Sequence, residues 1–251
     1  MDFDKHVSVM RELVAAINAD PSRFVLKGGT ALMFCYDLDR NSVDIDLDGE
    51  GERYEKSSDA LFKIVSTFCE KSSYDYRIGK DTNTVKRALI NYGDPSTPLK
   101  VELSYRRRDI DFDTDTRTIN GILVYSIDEL CKMKASAYLH RDRIRDLYDL
   151  TFICAKYFDD LEKASVEVVR NAFEYKGLNE FDYLVRTQDD PLIDNSLLET
   201  RFLSAYDKVG LMQPSRLSAR ADEVRIVAHY QPDRDDDGFF VDPPIQDPPE
   251  I

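Results

Sequence analysis

The sequence predicts an α+β protein, with a mixed sheet and flanking helices over residues 1–125, a helical bundle over 126–230 and a terminal tail over 231–251. Short runs of alternating apolar and polar residues recur as far as Tyr125, which is the pattern of half-buried strands. From Leu147 onward the apolar residues fall instead at helical spacing, with Leu147, Leu150, Cys154, Tyr157 and Leu161 on one stripe. Between the first two strand signals a glycine pair, Gly28-Gly29, precedes a helix of the length that returns a chain beside its first strand.

Taken in order, Val7, Met10, Val14 and Ile17 mark an amphipathic helix over 3–18, ended by Asp20-Pro21. Residues 24–26 form a short buried strand, Gly28-Gly29 a turn, and a helix opens at Thr30 before a second strand at 43–47. A polar loop at 49–53 leads to a core-facing helix over 55–69 carrying Leu61, Ile64, Val65 and Phe68. Strand signals at 74–78, 85–91 and 99–105 are separated by Asp81-Thr82-Asn83 and by Gly93-Asp94-Pro95 with Pro98, and read as an antiparallel continuation. Residues 109–117 read as a charged loop and 121–125 as a strand. Ser126 then caps a helix, with Glu129 placed to complete a capping box. Helices follow at 166–175, 180–186 and 197–209, broken at Gly177, at Asp189-Asp190-Pro191 and at Gly210. The acidic, proline-rich end from Pro232 has little to bury and is expected to be disordered.

A formal net charge of −14 argues against a protein that coats nucleic acid, although Arg106-Arg107-Arg108 and residues 141–145 are locally basic. No apolar run has the length of a membrane span and the N-terminus lacks a basic region followed by an apolar one, so a cytoplasmic protein with no membrane partner is expected. Cys35, Cys69, Cys131 and Cys154 are scattered through apolar patterns and read as reduced thiols. His6, His140 and His229 are too dispersed for a histidine-centred metal site.

Two constellations carry chemistry. In Asp44-Ile45-Asp46 the period of a strand puts both carboxylates on one face, a pair of hard oxygen ligands suited to Mg²⁺. The glycine pair ahead of a helix suits a phosphate, because backbone N–H groups there lack helical partners. Each pattern alone also arises in solvated strand ends and ordinary turns. Glu102 by itself reads as a solvated strand face. Lys134, Tyr138, Arg141 and Arg145 share one helical face if the helix runs on through Arg145; a polyphosphate partner and a solvated face paired with Asp142, Asp146 and Asp149 both fit that stripe.

Lys27-Gly28-Gly29-Thr30-Ala31-Leu32 followed by Arg40-x-Ser42-x-Asp44-Ile45-Asp46-Leu47 resembles the first motif of the nucleotidyltransferase-like AbiEii/AbiGii toxin family, a branch of the DNA polymerase β-like superfamily. Lys100-Val101-Glu102-Leu103 resembles its third acidic strand, and Lys134 with Arg141, Arg145, Asp146 and Asp149 its later helical motif. The resemblance spans residues 20–150 and implies a nucleotidyltransferase-like sheet. By it, Asp44, Asp46 and Glu102 would ligate two Mg²⁺ ions. Lys27, Gly28, Gly29 and Thr30 would surround the NTP phosphates, and Lys134 would face the leaving pyrophosphate. Arg40 and Ser42 would orient the carboxylates or touch the triphosphate. Arg145, Asp146 and Asp149 would support the site or tie two helices together. The implied activity is Mg²⁺-dependent transfer of a nucleotide from an NTP to an acceptor such as a tRNA 3′ end, by the toxin of a toxin–antitoxin or phage-defence pair with a cognate antitoxin. A small-molecule or protein acceptor, and a non-catalytic nucleotide- or partner-binding module, are the alternatives.

Overall fold

Asp2 opens the first helix, α1 (Phe3–Asn18), by accepting a hydrogen bond from the Lys5 N–H, and the helix buries His6, Val9, Met10, Leu13, Val14 and Ile17. The computed structural model describes residues 2–50, 60–93 and 96–212. The expected tail at 231–251 and the start of the helix expected from residue 55 lie outside the described residues.

Seven strands form one mixed sheet: β1 (Val25–Lys27), β2 (Asp44–Asp48), β3 (Asp75–Asp81), β4 (Val85–Asn91), β5 (Leu99–Ser104), β6 (Thr116–Ile119) and β7 (Ile122–Tyr125). Their order across the sheet is β3-β4-β5-β2-β1-β7-β6. The pairs β2–β5 and β1–β7 are parallel, and the other neighbours are antiparallel, including β1 and β2. Ile45, Leu47, Val101 and Leu103 are buried, which leaves the intervening polar residues of β2 and β5 together on the opposite face. Between β1 and β2 runs α2 (Gly28–Cys35), which starts two residues earlier than its sequence signal. The helix α3 (Ala60–Ser72) packs on α1 and on the β3–β4 hairpin through Leu61, Ile64, Val65 and Phe68.

The expected loop at 109–117 requires correction, because β6 begins at Thr116 and pairs with β7 as a hairpin. Asn120 and Gly121 both take positive φ, 52° and 79°, the demand of the tight turn that joins twisted strands. An Asn-Gly step was thus a readable signal for this hairpin.

Only helices follow among the described residues: α4 (Ile127–His140), α5 (Ile144–Lys156), a short 3₁₀ turn at Phe158–Asp160, α6 (Lys163–Thr187) and α7 (Asn195–Lys208). The strands and these helices belong to one compact unit, Met1–Val209. Ser126 caps α4 by accepting from the Glu129 N–H at 3.4 Å, but the capping box is only half made. The Ser126 N–H donates to the Asp115 carbonyl, while the Glu129 carboxylate pairs with Lys132 and Arg107. A continuous helix through Arg145 is also corrected: the backbone turns extended at Arg141 and restarts at Ile144. Gln188 stabilises this break by donating to the Asp142 carbonyl at 2.7 Å and accepting from the Ile144 N–H at 2.9 Å. Gly177, at φ +66°, kinks α6 where a break was expected. The aromatic rings of Phe173, Phe181 and Phe202 close the core of this half, with Phe181 stacked on Phe202 at 4.3 Å. All four cysteines are free thiols; Cys69, Cys131 and Cys154 are buried and Cys35 is half-buried.

His6 joins α1 to Val43, the residue just ahead of the strand that carries the aspartates. Its Nε2–H donates to the Val43 carbonyl at 3.0 Å, so Nδ1 is the acceptor of the Tyr92 hydroxyl. Burial lowers its pKa below the ordinary 6.5, an effect only partly offset by Val43 and Asp44. The unfolded chain therefore takes up this proton first, and stability present above the unfolded pKa is lost as pH falls through the folded one. Thermal melts from about pH 7 to 5 should show a drop in midpoint that is shallower in His6→Gln. An equal slope in both proteins would show that His6 carries none of it.

Candidate active site

Strand register brings the ionisable residues into a row. Lys27 stands opposite Asp46, Asp46 opposite Glu102, and Glu102 opposite Arg87, crossing β1, β2, β5 and β4. One step along, Asp44 is opposite Lys100. Like charges directly across a strand pair repel, so Asp46 beside Glu102 is tolerated only with compensation. Arg87 supplies part of it, with Nε at 2.7 Å and Nη2 at 2.5 Å from Glu102 Oε2. The Lys100 ammonium lies 2.8 Å from Asp44 Oδ2 and 4.0 Å from Asp46 Oδ1. The Asp46 carboxyl is still pushed above the ordinary carboxylate range, first by burial and then by Asp44 and Glu102, against the opposing pull of Lys100 and Lys27. Next to this row, Lys27 pairs with Asp48 at 2.5 Å, and Asp48 also accepts from the Tyr125 hydroxyl at 3.1 Å.

The glycine turn faces the same carboxylates. Gly28 has φ +75°, and a Cβ there would sit 3.2 Å from Asp46 Oδ2, so backbone conformation and close approach both demand glycine. At Gly29 a Cβ would come within 3.0 Å of Arg40 Nη2 and of Ser42 Oγ. Lys27, at the N-cap of α2, sends its side chain to Asp48 rather than back to the helix, and so leaves the first N–H groups uncapped by that residue. Thr30 corrects one expectation, since its hydroxyl is buried, donates to the Asp44 carbonyl and lies 2.9 Å from Ser42 Oγ. It holds the Asp44 backbone instead of facing a phosphate.

Arg40 likewise turns inward, with its side chain buried. Its Nε and Nη2 both lie 2.7 Å from the fully buried Asp149 carboxylate, in a bidentate pair. Lys134 on α4 pairs with that same carboxylate at 2.6 Å and with Asp146 at 3.5 Å, and Arg141 closes the chain with a bidentate bond to Asp146. Burial by itself would raise the Asp149 pKa, but Lys134 and Arg40 outweigh it and hold the carboxyl below its usual range. Of the four residues expected on one cationic face, Lys134 and Arg141 line the site; Tyr138 is buried against Phe173, and Arg145 turns to Asp190. The break after α4 separates them.

These groups surround a cleft of about 470 Å³, with Lys27, Gly28, Asp44, Asp46, Arg87, Lys100, Glu102, Lys134, Arg141 and Arg143 on its walls. Leu130, Met133 and Ala137, one face of α4, form an apolar side. Six cations and three carboxylates line this cleft, and three of the cations, Lys27, Lys134 and Arg141, are also paired with Asp48, Asp149 and Asp146 behind it. The roles of Lys100, Arg87, Arg143 and the apolar side were not assigned from sequence. Lys100 was readable as sharing a strand face with Glu102, whereas Arg87 and Arg143 needed tertiary contacts. Among the described residues no three His, Cys, Asp or Glu side chains converge as placed on one metal position. The expected convergence is corrected to that extent, for Asp44 leans to Lys100 and Glu102 to Arg87. Three carboxylates on one face of two paired strands remain a donor set of the right kind for a hard cation.

The same architecture occurs in solved structures. JHP933 from Helicobacter pylori is 22% identical, with 90% of this chain and 97% of that chain covered at a TM-score of 0.65. Another Helicobacter pylori chain, provisionally called a nucleotidyltransferase, is 23% identical over 82% of this chain and 94% of its own, with a TM-score of 0.66. MenT4, a nucleotidyltransferase toxin from Mycobacterium tuberculosis, is a weaker likeness at 16% identity over 84% and 85% of the two chains and a TM-score of 0.47. No curated protein matches the chain. The fold is that of the nucleotidyltransferases. The family model for the nucleotidyl transferase AbiEii toxin of type IV toxin–antitoxin systems matches residues 11–236, and the chain belongs to that family.

Replacing Asp149 tests the buried network. Asp149→Asn leaves the Arg40 and Lys134 charges without a full counter-charge, at an expected cost of about 3–5 kcal/mol in urea unfolding at neutral pH. Because the folded pKa is depressed, the stabilisation is present above the unfolded pKa and is lost as pH falls through the folded one. The variant should therefore lose part of the acid-side slope of the wild-type protein. Unchanged stability in Asp149→Asn would refute a structural role for the network.

Proposed function

We propose that this nucleotidyltransferase toxin moves a nucleotide from an NTP to an acceptor hydroxyl in an Mg²⁺-dependent reaction, with a tRNA 3′ end as acceptor. The observation that carries the proposal is the register of Asp46 against Glu102, beside Asp44 and the Gly28 turn, in a cleft also lined by six cations and one apolar helix face. In this reading Asp44, Asp46 and Glu102 hold the metal, two ions when fully loaded. Bound Mg²⁺ supplies charge neutralisation on the attacking and leaving oxygens.

The chain's own groups do the rest. Backbone N–H groups at Gly28 and Gly29 bind phosphate oxygens, which suits the open start of α2. Lys134 and Arg141 offset charge on the leaving pyrophosphate from the α4 side, held in position by Asp146 and Asp149. Thr30, Ser42 and Arg40 act one step back, on the backbone of Asp44 and on Asp149. The base packs on Leu130, Met133 and Ala137, where contact is apolar and selects weakly among bases. The exposed Arg143 at the cleft, with Arg106 and Arg108 elsewhere on the surface, offers local footing for acceptor phosphates despite the acidic whole. A cognate antitoxin and a cytoplasmic site of action belong to the same reading, and no helix among the described residues is long and apolar enough to cross a membrane.

Incubation with labelled NTPs, Mg²⁺ and total cellular RNA should label an RNA of tRNA size. Asp46→Ala should lower the label by at least roughly 100-fold, the scale of losing a main electrostatic stabiliser. Label in small molecules or protein would replace the acceptor, and undiminished product in Asp46→Ala would remove that carboxylate from the mechanism.

A further inference from the structure

We propose that the Lys100 ammonium is a built-in counter-ion standing where a divalent cation must enter, so that metal binding has to displace it from Asp44. The inference rests on the metal role proposed above for Asp44 and Asp46. Parallel register sets Lys100 directly beside Asp44, just as it sets Glu102 beside Asp46. From there its Nζ reaches between the two aspartates, 2.8 Å from Asp44 Oδ2 and 4.0 Å from Asp46 Oδ1. A divalent ion bridging those carboxylates would sit about 2.1 Å from its oxygen ligands. It would therefore compete for the space and the charge that Lys100 now takes.

Arg87 differs in this respect. Among the described residues its guanidinium pairs only with Glu102, from β4 on the outer side of the row, and does not lie between two carboxylates. Lys100 also has the means to move, since its charge ends a flexible four-carbon stem and its side chain is about one-third exposed at 30%. The consequence is a threshold. Metal-free protein keeps Asp44, Asp46 and Glu102 balanced, and the metal has to compete with a tethered cation at high local concentration.

The test uses the full chain and Mn²⁺ alone, with free Mn²⁺ read by electron paramagnetic resonance and no nucleotide present. Lys100→Met should bind Mn²⁺ roughly fivefold or more tightly than wild type, the scale of one partly exposed ion pair. Lys100→Gln, which keeps a polar tip, should shift the same way and serves if the Met variant does not fold. Arg143→Met removes the same charge from the same cleft and controls for net charge, with an expected gain of less than about twofold. The melting temperature of metal-free Lys100→Met should fall, and Mn²⁺ should raise it by more than in wild type. Affinity equal to wild type, or a gain no larger than in Arg143→Met, overturns the counter-ion role. Absence of Mn²⁺ binding in wild type and Lys100→Met alike, indistinguishable from Asp46→Ala, overturns the metal reading itself.

Discussion

Two carboxylates set side by side on neighbouring parallel strands are the constraint around which this protein is arranged. Asp46 and Glu102 face each other across β2 and β5, where a sheet would normally place opposite charges or apolar groups. Their repulsion has to be offset locally, by Lys27 from β1 on one side, by Arg87 from β4 on the other and by Lys100 from β5 itself. Gly28 completes the constraint, since any side chain there would press on Asp46. Local stability would be better served by a less acidic pair.

A second polar chain makes that row usable. Arg40, Asp149, Lys134, Asp146 and Arg141 form a continuous set of ion pairs that runs from the loop after α2 into α4 and α5. Asp149 is fully buried, so its two cations are not ornamental: an unpaired carboxylate there would be costly. Through it the helical half is tied to the strand-bearing half, and Lys134 is held at the cleft with little freedom to wander. The arrangement explains why Arg40, so near Asp44 in sequence, points away from the cleft. It fastens the wall on which the aspartates stand.

The contrast between the acidic chain and its cationic cleft bears on partners. A net negative charge weakens indiscriminate attraction to nucleic acid, while the cleft gathers six cations beside its three carboxylates. The chain carries this cleft as a member of the AbiEii nucleotidyl transferase toxin family. The apolar face of α4, Leu130, Met133 and Ala137, forms the side of the cleft without charge of its own.

Much was legible in the chain itself, and the limits are instructive. Strand period placed Asp44 with Asp46 on one face of their strand, and Lys100 with Glu102 on one face of theirs, because alternation is a local property of extended backbone. The Gly28-Gly29 turn and the Gly177 kink followed from the same local rules. The β6–β7 hairpin was missed although its Asn-Gly turn was present, since acidic and basic residues around it resembled a loop. The neighbours β1–β2 and β3–β4–β5 followed from chain order, but the parallel pairings of β2 with β5 and β1 with β7 were beyond local reading. Only the folded sheet decided that Glu102 meets Asp46, that Lys100 and not a distant residue balances Asp44, and that Gln188 interrupts the helix before Arg145. Local sequence determines the face on which a side chain emerges, through backbone geometry. Which charge it then meets depends on long-range packing, because electrostatic partners are chosen by distance in space and not by distance along the chain.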